Sequence, residues 1–165
     1  MDRDSQLVDI IDKNPGIKFR EIMRETGMKN GVLSYHARKL EKNGIVKVER
    51  GSRQTRFYPL GITNEESVLI KNLRQETPRQ ILLSLLDEKE LTFNKIVEKV
   101  KKSPSTVSIY LSQLTDDSIV EIKIIELKKV FYIKSEETVQ NAINKYHPTL
   151  IERSADRLAD IFNSL

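Results

Sequence analysis

Two kinds of side chain in this sequence could do chemistry, and only one kind is arranged for it. Nucleophilic and metal chemistry lack their parts. The 165 residues include no cysteine and two histidines, His36 and His147, far apart in the chain. Thiolate catalysis, a disulfide framework and a Cys-based zinc site are therefore excluded, and the histidines lack metal-ligand spacing. No glycine loop is built to cradle phosphate, and no Ser–His–Asp order is one that a fold could assemble. No enzymatic activity, metal or cofactor is expected. Aromatic residues are few and dispersed, which argues against a stacking platform for single strands or RNA. What the chain does concentrate is cationic hydrogen-bond donors. From Lys29 to Arg56 lie Lys29, Arg38, Lys39, Lys42, Lys47, Arg50, Arg53 and Arg56 against only Glu41 and Glu49, a local net charge of +6 in a chain of +4. The remainder sums to −2. A basic patch on a near-neutral body is the electrostatic footprint of a polyanion binder.

Two elements must hold those donors. Phe19, Ile22 and Met23 recur at helical spacing, and Gly27 permits a sharp turn into a second helix over about 30–43. There Leu33, Ala37 and Leu40 form the inner side, while Asn30, Gly31, Ser34, Tyr35 and Arg38 occupy another face. Asn43-Gly44 ends it. Strands over 45–49 and 56–59 then pair across an arginine-rich tip, and Ile17-Lys18 supplies a small third strand. The order helix, strand, helix, helix, strand, wing, strand is that of a winged helix-turn-helix. A helix of this kind fits the major groove of duplex DNA, and arginines suit the adjacent minor groove and phosphates. The expected contacts are Lys29, Asn30, Gly31, Ser34, Tyr35, Arg38 and Lys39 on the helix, with Arg50, Ser52, Arg53, Gln54 and Arg56 on the wing. A merely solvated polar face would account for most of these. It does not account for Gly31, which costs about 1 kcal/mol relative to Ala inside an exposed helix.

The unit is used twice. Shifted by 74 residues, the sequence matches itself without a gap from Leu7 to Tyr58: Phe19 falls on Phe93, Ile22 on Ile96, Ser34 on Ser108, Leu40 on Leu114, and Phe57-Tyr58 on Phe131-Tyr132. Identities cluster on inward positions, as a tandem duplication predicts. The expected fold is mainly α with small antiparallel β wings (α+β). A first winged-helix domain spans 1–60, a linker helix 61–76, a second winged-helix domain 77–134 and C-terminal helices 135–165. In the second domain Thr92 precedes a helix over 93–100, and Ser103-Pro104 opens another. Strands at 119–125 and 130–133 flank a tip near 126–129. Its outer face offers Ser105, Thr106, Ser108 and Ser112 with Lys128 and Lys129 on the wing, which could contact DNA more weakly or serve as a spacer or protein-docking module. At the end of the chain Ile151, Ala155, Leu158, Phe162 and Leu165 are spaced four, three, four, three, an apolar seam expected to dimerise the chain.

The stretch GVLSYHARKLEKNGIVKVERGSRQTRFYP resembles the recognition helix and wing of ArsR/MarR-like winged-helix regulators, especially archaeal ones. Ser34-Tyr35-His36, Arg38-Lys39-Leu40 and Gly44-Ile45-Val46 carry the resemblance, which is strong over about residues 7–60. It implies a homodimeric transcription factor bound to palindromic double-stranded DNA. Ala37 stands where the family usually has leucine, and the cysteines or clustered histidines of ArsR-type metal sensors are missing. No small-molecule effector is therefore specified. The polar, acidic N-terminus is unlike a signal peptide, no apolar run approaches a membrane span, and a cytoplasmic location without membrane contact is expected. Two other readings compete: a tandem winged-helix protein-interaction scaffold, and a non-specific nucleoid or general transcription factor.

Overall fold

Asp2 opens the first helix of the computed structural model, which describes residues 2–146. Its carboxylate accepts the Ser5 N–H at 2.7 Å, satisfying one of the donors a helix N-terminus leaves free. Helix α1 (Arg3–Lys13) then buries Leu7 and Ile11, and β1 (Ile17–Lys18) follows. Helix α2 (Phe19–Thr26) ends on Gly27, whose φ of 73° is the left-handed stop that glycine adopts without steric penalty. Helix α3 (Asn30–Lys42) buries Leu33, Ala37 and Leu40. Strands β2 (Val46–Arg50) and β3 (Thr55–Pro59) form the wing, in a sheet of order β1-β3-β2. Val48 sits opposite Phe57 and Glu49 opposite Arg56 in β2–β3, while Ile17 sits opposite Phe57 and Lys18 opposite Arg56 in β1–β3. Phe57 thus reaches a core shared with Leu7, Ile22, Leu33 and Leu40.

The chain divides into two compact units between Ser67 and Val68, a point inside helix α4 (Asn64–Leu73). In the first unit, Thr63 accepts the Glu66 N–H at 3.1 Å, and buried Tyr58 donates its hydroxyl to the Ser67 carbonyl at 3.1 Å. In the second, Leu69 and Leu73 of α4 belong to the apolar core, so the later half of the expected linker is packed structure.

The second unit repeats the first. Helices α5 (Glu76–Glu88), α6 (Phe93–Val100) and α7 (Pro104–Asp116) alternate with β4 (Glu90–Thr92), and β5 (Val120–Ile125) and β6 (Lys128–Ile133) complete a sheet of order β4-β6-β5. Ser103 caps α7 ahead of Pro104, as that pair predicts, and Thr92 caps α6. The repeat extends to backbone conformation: Gly27 and Gly44 have positive φ in the first unit, and Lys101 (φ 54°) and Ser118 (φ 60°), each 74 positions on, have it in the second. A further helix over 136–146 (α8) buries Val139 and Ile143 against the second core.

Two expectations change. The second hairpin tip is two residues, Glu126 and Leu127, both at positive φ (51° and 67°), and not a four-residue loop. That is the tight turn whose twist matches the flanking strands. Lys128 and Lys129 consequently lie in β6 and not in the tip. The seam residues Ile151, Ala155, Leu158, Phe162 and Leu165 lie outside the described residues, as does His147.

Candidate nucleic-acid interface

Helix α3 turns its polar side to solvent because Leu33, Ala37 and Leu40 claim the other. Lys29, Asn30, Gly31, Tyr35, Arg38 and Lys39 are exposed, and Ser34 is half-buried, donating to Asn30 Oδ1 at 3.3 Å. Tyr35 is 65 % exposed and meets His36 edge to face. A Cβ built on Gly31 would meet nothing within 4 Å, so no neighbour inside the protein requires glycine there. The charged groups of Lys29, Arg38 and Lys42 have no ion-pair partner among the described residues. Lys39 differs. Its ammonium lies 2.8 Å from Asp4 Oδ2, and His36 Nδ1 lies 2.6 Å from Asp4 Oδ1, so one carboxylate of α1 clasps two residues of α3. That clasp, through Lys39 first and then His36, holds the Asp4 carboxyl below its ordinary value and raises Lys39 in return.

The wing arginines separate into three environments, where the sequence treated them alike. Arg53 is exposed, has no partner among the described residues and lines an open cleft of about 630 Å³ with Lys18, Phe19, Arg20, Gln54 and Thr55. Arg50 is bound in a fork to Glu41, Nη1 to Oε1 at 2.9 Å and Nη2 to Oε2 at 2.6 Å, tying the wing to the last turn of α3. This pairing holds the Glu41 carboxyl below its ordinary range. Arg56 is a correction. It is only 4 % exposed, donating to the Gly16 carbonyl at 2.8 Å and to Gln54 Oε1 at 3.2 Å. A guanidinium so enclosed braces the junction of β1 and β3 and is unavailable to a ligand. Gln54 is exposed but shares its side-chain oxygen with that brace, and Ser52 is exposed. Gly51 N–H donates to Gln54 C=O at 2.8 Å, and a Cβ on Gly51 would sit 3.2 Å from the same oxygen. The glycine keeps the tip narrow.

Lys18 and Arg20 line the cleft with Arg53, and the sequence did not single them out. Lys18 lies opposite Arg56 in the β1–β3 register, which brings the start of α2 beside the wing. Only that three-strand register reveals it; nothing in the spacing of Lys18 or Arg20 along the chain does.

In the second unit Ser105 and Thr106 are drawn into the helix cap: Ser103 Oγ accepts the Thr106 N–H at 3.2 Å and lies 3.2 Å from Ser105 Oγ. Ser108, Ser112, Lys128 and Lys129 are exposed. Among the described residues no group of three or more His, Cys, Asp or Glu could hold a metal, and no helix is long and apolar enough to cross a membrane.

Comparison with known proteins finds helix-turn-helix relatives for both units. Residues 1–70 match an N-terminal HTH domain family (HTH_HVO_0163_N), and residues 76–121 match the family of bacterial regulatory proteins of the arsR type. The uncharacterized HTH-type transcriptional regulator MJ1398 of Methanocaldococcus jannaschii is 26 % identical over 142 residues, covering 86 % of this chain and 34 % of that protein. The chain thus spans about a third of that relative's length. Among solved structures, HlyU from Vibrio cholerae is similar at 27 % identity and a TM-score of 0.45, over 52 % of this chain and 90 % of that one. The homodimeric winged helix-turn-helix domain of Mb0332 from Mycobacterium bovis is similar at 21 % identity and a TM-score of 0.42, over 59 % and 83 %. The arsR-type family is one of bacterial regulatory proteins, and the curated relative is an HTH-type transcriptional regulator. The chain is two winged helix-turn-helix units in tandem, the first similar to an N-terminal HTH domain family and the second to the arsR family of bacterial regulatory proteins.

Proposed function

We propose that the first unit binds double-stranded DNA sequence-specifically, with α3 in the major groove and the wing on the flanking phosphates and minor groove. The observation that carries this is the exposed face of α3. It holds a helical glycine that no internal contact requires, flanked by Lys29 and Arg38 with no ion-pair partner among the described residues. Gly31 and Ser34 admit close approach of a base edge, and Arg38 supplies the planar donor pair that suits guanine. Arg53, Arg20 and Lys18 supply phosphate contacts around the cleft between α2 and the wing. The bidentate Glu41–Arg50 pair fixes the wing at the end of the helix it must accompany. A homodimer through the apolar seam at 151–165 would place two such units on the half-sites of a palindrome. Selecting bound fragments from genomic DNA, followed by gel shifts against random competitor, tests this. Enrichment of one inverted-repeat motif is the expected result. Equal retention of all fragments favours a non-specific factor, and no retention at low salt favours a protein scaffold.

A further inference from the structure

The second unit keeps the fold of the first and reverses the chemistry of its wing. At the 74-residue offset Arg50 becomes Ile124, Gly51 becomes Ile125, Arg53 becomes Leu127 and Arg56 becomes Val130, while Arg38 on α3 becomes Ser112 on α7. The replacements are not hidden. Ile124 is 73 % exposed and Leu127 99 %, with Ile122 and Ile125 also in solvent. Among the described residues β5 is hydrogen-bonded on one side only, to β6. An edge strand with exposed isoleucines invites another strand unless something covers it.

We propose that this edge is an interface between two copies of the chain, β5 pairing antiparallel with β5 of a second copy about a two-fold axis at Ile122. Backbone geometry, side-chain type and charge agree on that register. The two-residue turn makes Ile125 and Lys128 the closing bonded pair, and further down the hairpin the Lys134 N–H donates to the Ile119 carbonyl at 3.0 Å. Odd-numbered residues of β5 therefore use their backbone groups on β6, and Val120, Ile122 and Ile124 direct theirs to the open edge. An axis at Ile122 sets Ile122 against Ile122, Val120 against Ile124, and Glu121 against Lys123 of the other copy. Moving the axis to residue 121 opposes two glutamates, and moving it to residue 123 opposes two lysines, arrangements that destabilise a strand pair. Glu121 already accepts the Tyr132 hydroxyl at 2.7 Å, and Lys123 pairs with Glu90, within the unit. Each retains hydrogen-bonding capacity for a further partner, so the new contacts extend an existing charge ladder. The self-complementary order Val-Glu-Ile-Lys-Ile singles out a second copy over an unrelated protein. This inference does not rest on DNA binding by the first unit.

The absence of cysteine from the full chain gives a clean test. Under mild oxidation, full-length Ile122→Cys should form a covalent dimer, and an equal mixture of Glu121→Cys and Lys123→Cys should cross-link while neither does alone. Adding Ile124→Lys should lower both yields about tenfold or more, because a charge on an edge strand opposes pairing. If Ile122→Cys cross-links no faster than a control cysteine at exposed Asp12, the interface is wrong. It is equally wrong if Glu121→Cys and Lys123→Cys each cross-link alone as well as they do mixed. Concentration-independent amide protection along β5 would also overturn it, by placing a segment of the same chain over the edge. Should Ile122→Cys fail to fold, the mixed pair alone decides.

Discussion

Replacing Arg50, Arg53 and Arg56 by alanine, one at a time, is expected to give three different phenotypes, because the three guanidinium groups sit in three different environments. Arg53→Ala removes an exposed charge with no partner among the described residues and should leave the thermal midpoint unchanged. One lost phosphate contact lowers the slope of log K against log salt by about 0.9, which near 0.1 M salt is about eightfold in affinity, or about 1.2 kcal/mol. Arg56→Ala deletes a buried, charge-assisted hydrogen bond to the Gly16 carbonyl at 2.8 Å. About 2–3 kcal/mol of stability is at stake, or about 10–20 °C in the melting midpoint of a unit this small. Its salt slope, measured below the new midpoint, should match wild type. Arg50→Ala exposes Glu41 and should weaken binding, whereas Arg50→Ala with Glu41→Ala should recover most of the loss, since the pair together carries no net charge. Fluorescence anisotropy with a labelled duplex across a salt series, alongside thermal melts, reads all of these. Equal effects of the three single variants on binding, or a wild-type slope for Arg53→Ala, would refute the separation of roles.

Gly31→Ala should raise stability by about 0.5–1 kcal/mol, and Gly31→Leu should fold yet lose about tenfold or more in duplex affinity, as melts and gel shifts on the same preparations would reveal. The Asp4 clasp should loosen in acid. Its carboxyl is held below the ordinary 3.8, so its contribution is complete above that value and disappears as pH falls through the lowered one. A difference in thermal midpoint between wild type and Asp4→Asn, present near neutral pH, should accordingly shrink once pH falls below 3.8 and vanish as the lowered value is passed. Lys101→Gly and Ser118→Gly relieve side chains held at positive φ and should each stabilise the second unit by about 0.5–1 kcal/mol in urea melts; destabilisation would show that their side chains contribute more than the backbone strain costs.

The sequence was most informative where periodicity and punctuation act locally. The helix start at Phe93 and the cap at Ser103 follow from short-range chemistry, and the helices, strands and wings recur at one offset because the chain repeats one fold. The wing arginines were not legible, since their fates depend on strand register. Arg56 is enclosed because β1 and β2 flank β3 and set Lys18 and Glu49 opposite it, a relation between residues far apart in sequence. Arg50 is paired because the last turn of α3 brings Glu41 within reach, and charge counting alone treats that pair as one more arginine. The same limit hid Lys18 and Arg20. The apolar second wing was visible as letters, but a tip assigned four residues obscured which side chains alternate outward along β5.

Backbone amide shift mapping of the full chain during titration with duplex DNA at low salt would test the central claim most directly. If the first unit grips the grooves as described, the largest perturbations fall on Asn30 to Arg38, on Gly51 to Gln54 and at Lys18 to Arg20, and they saturate together. Perturbations confined to the second unit, or none until salt is nearly absent, would contradict it.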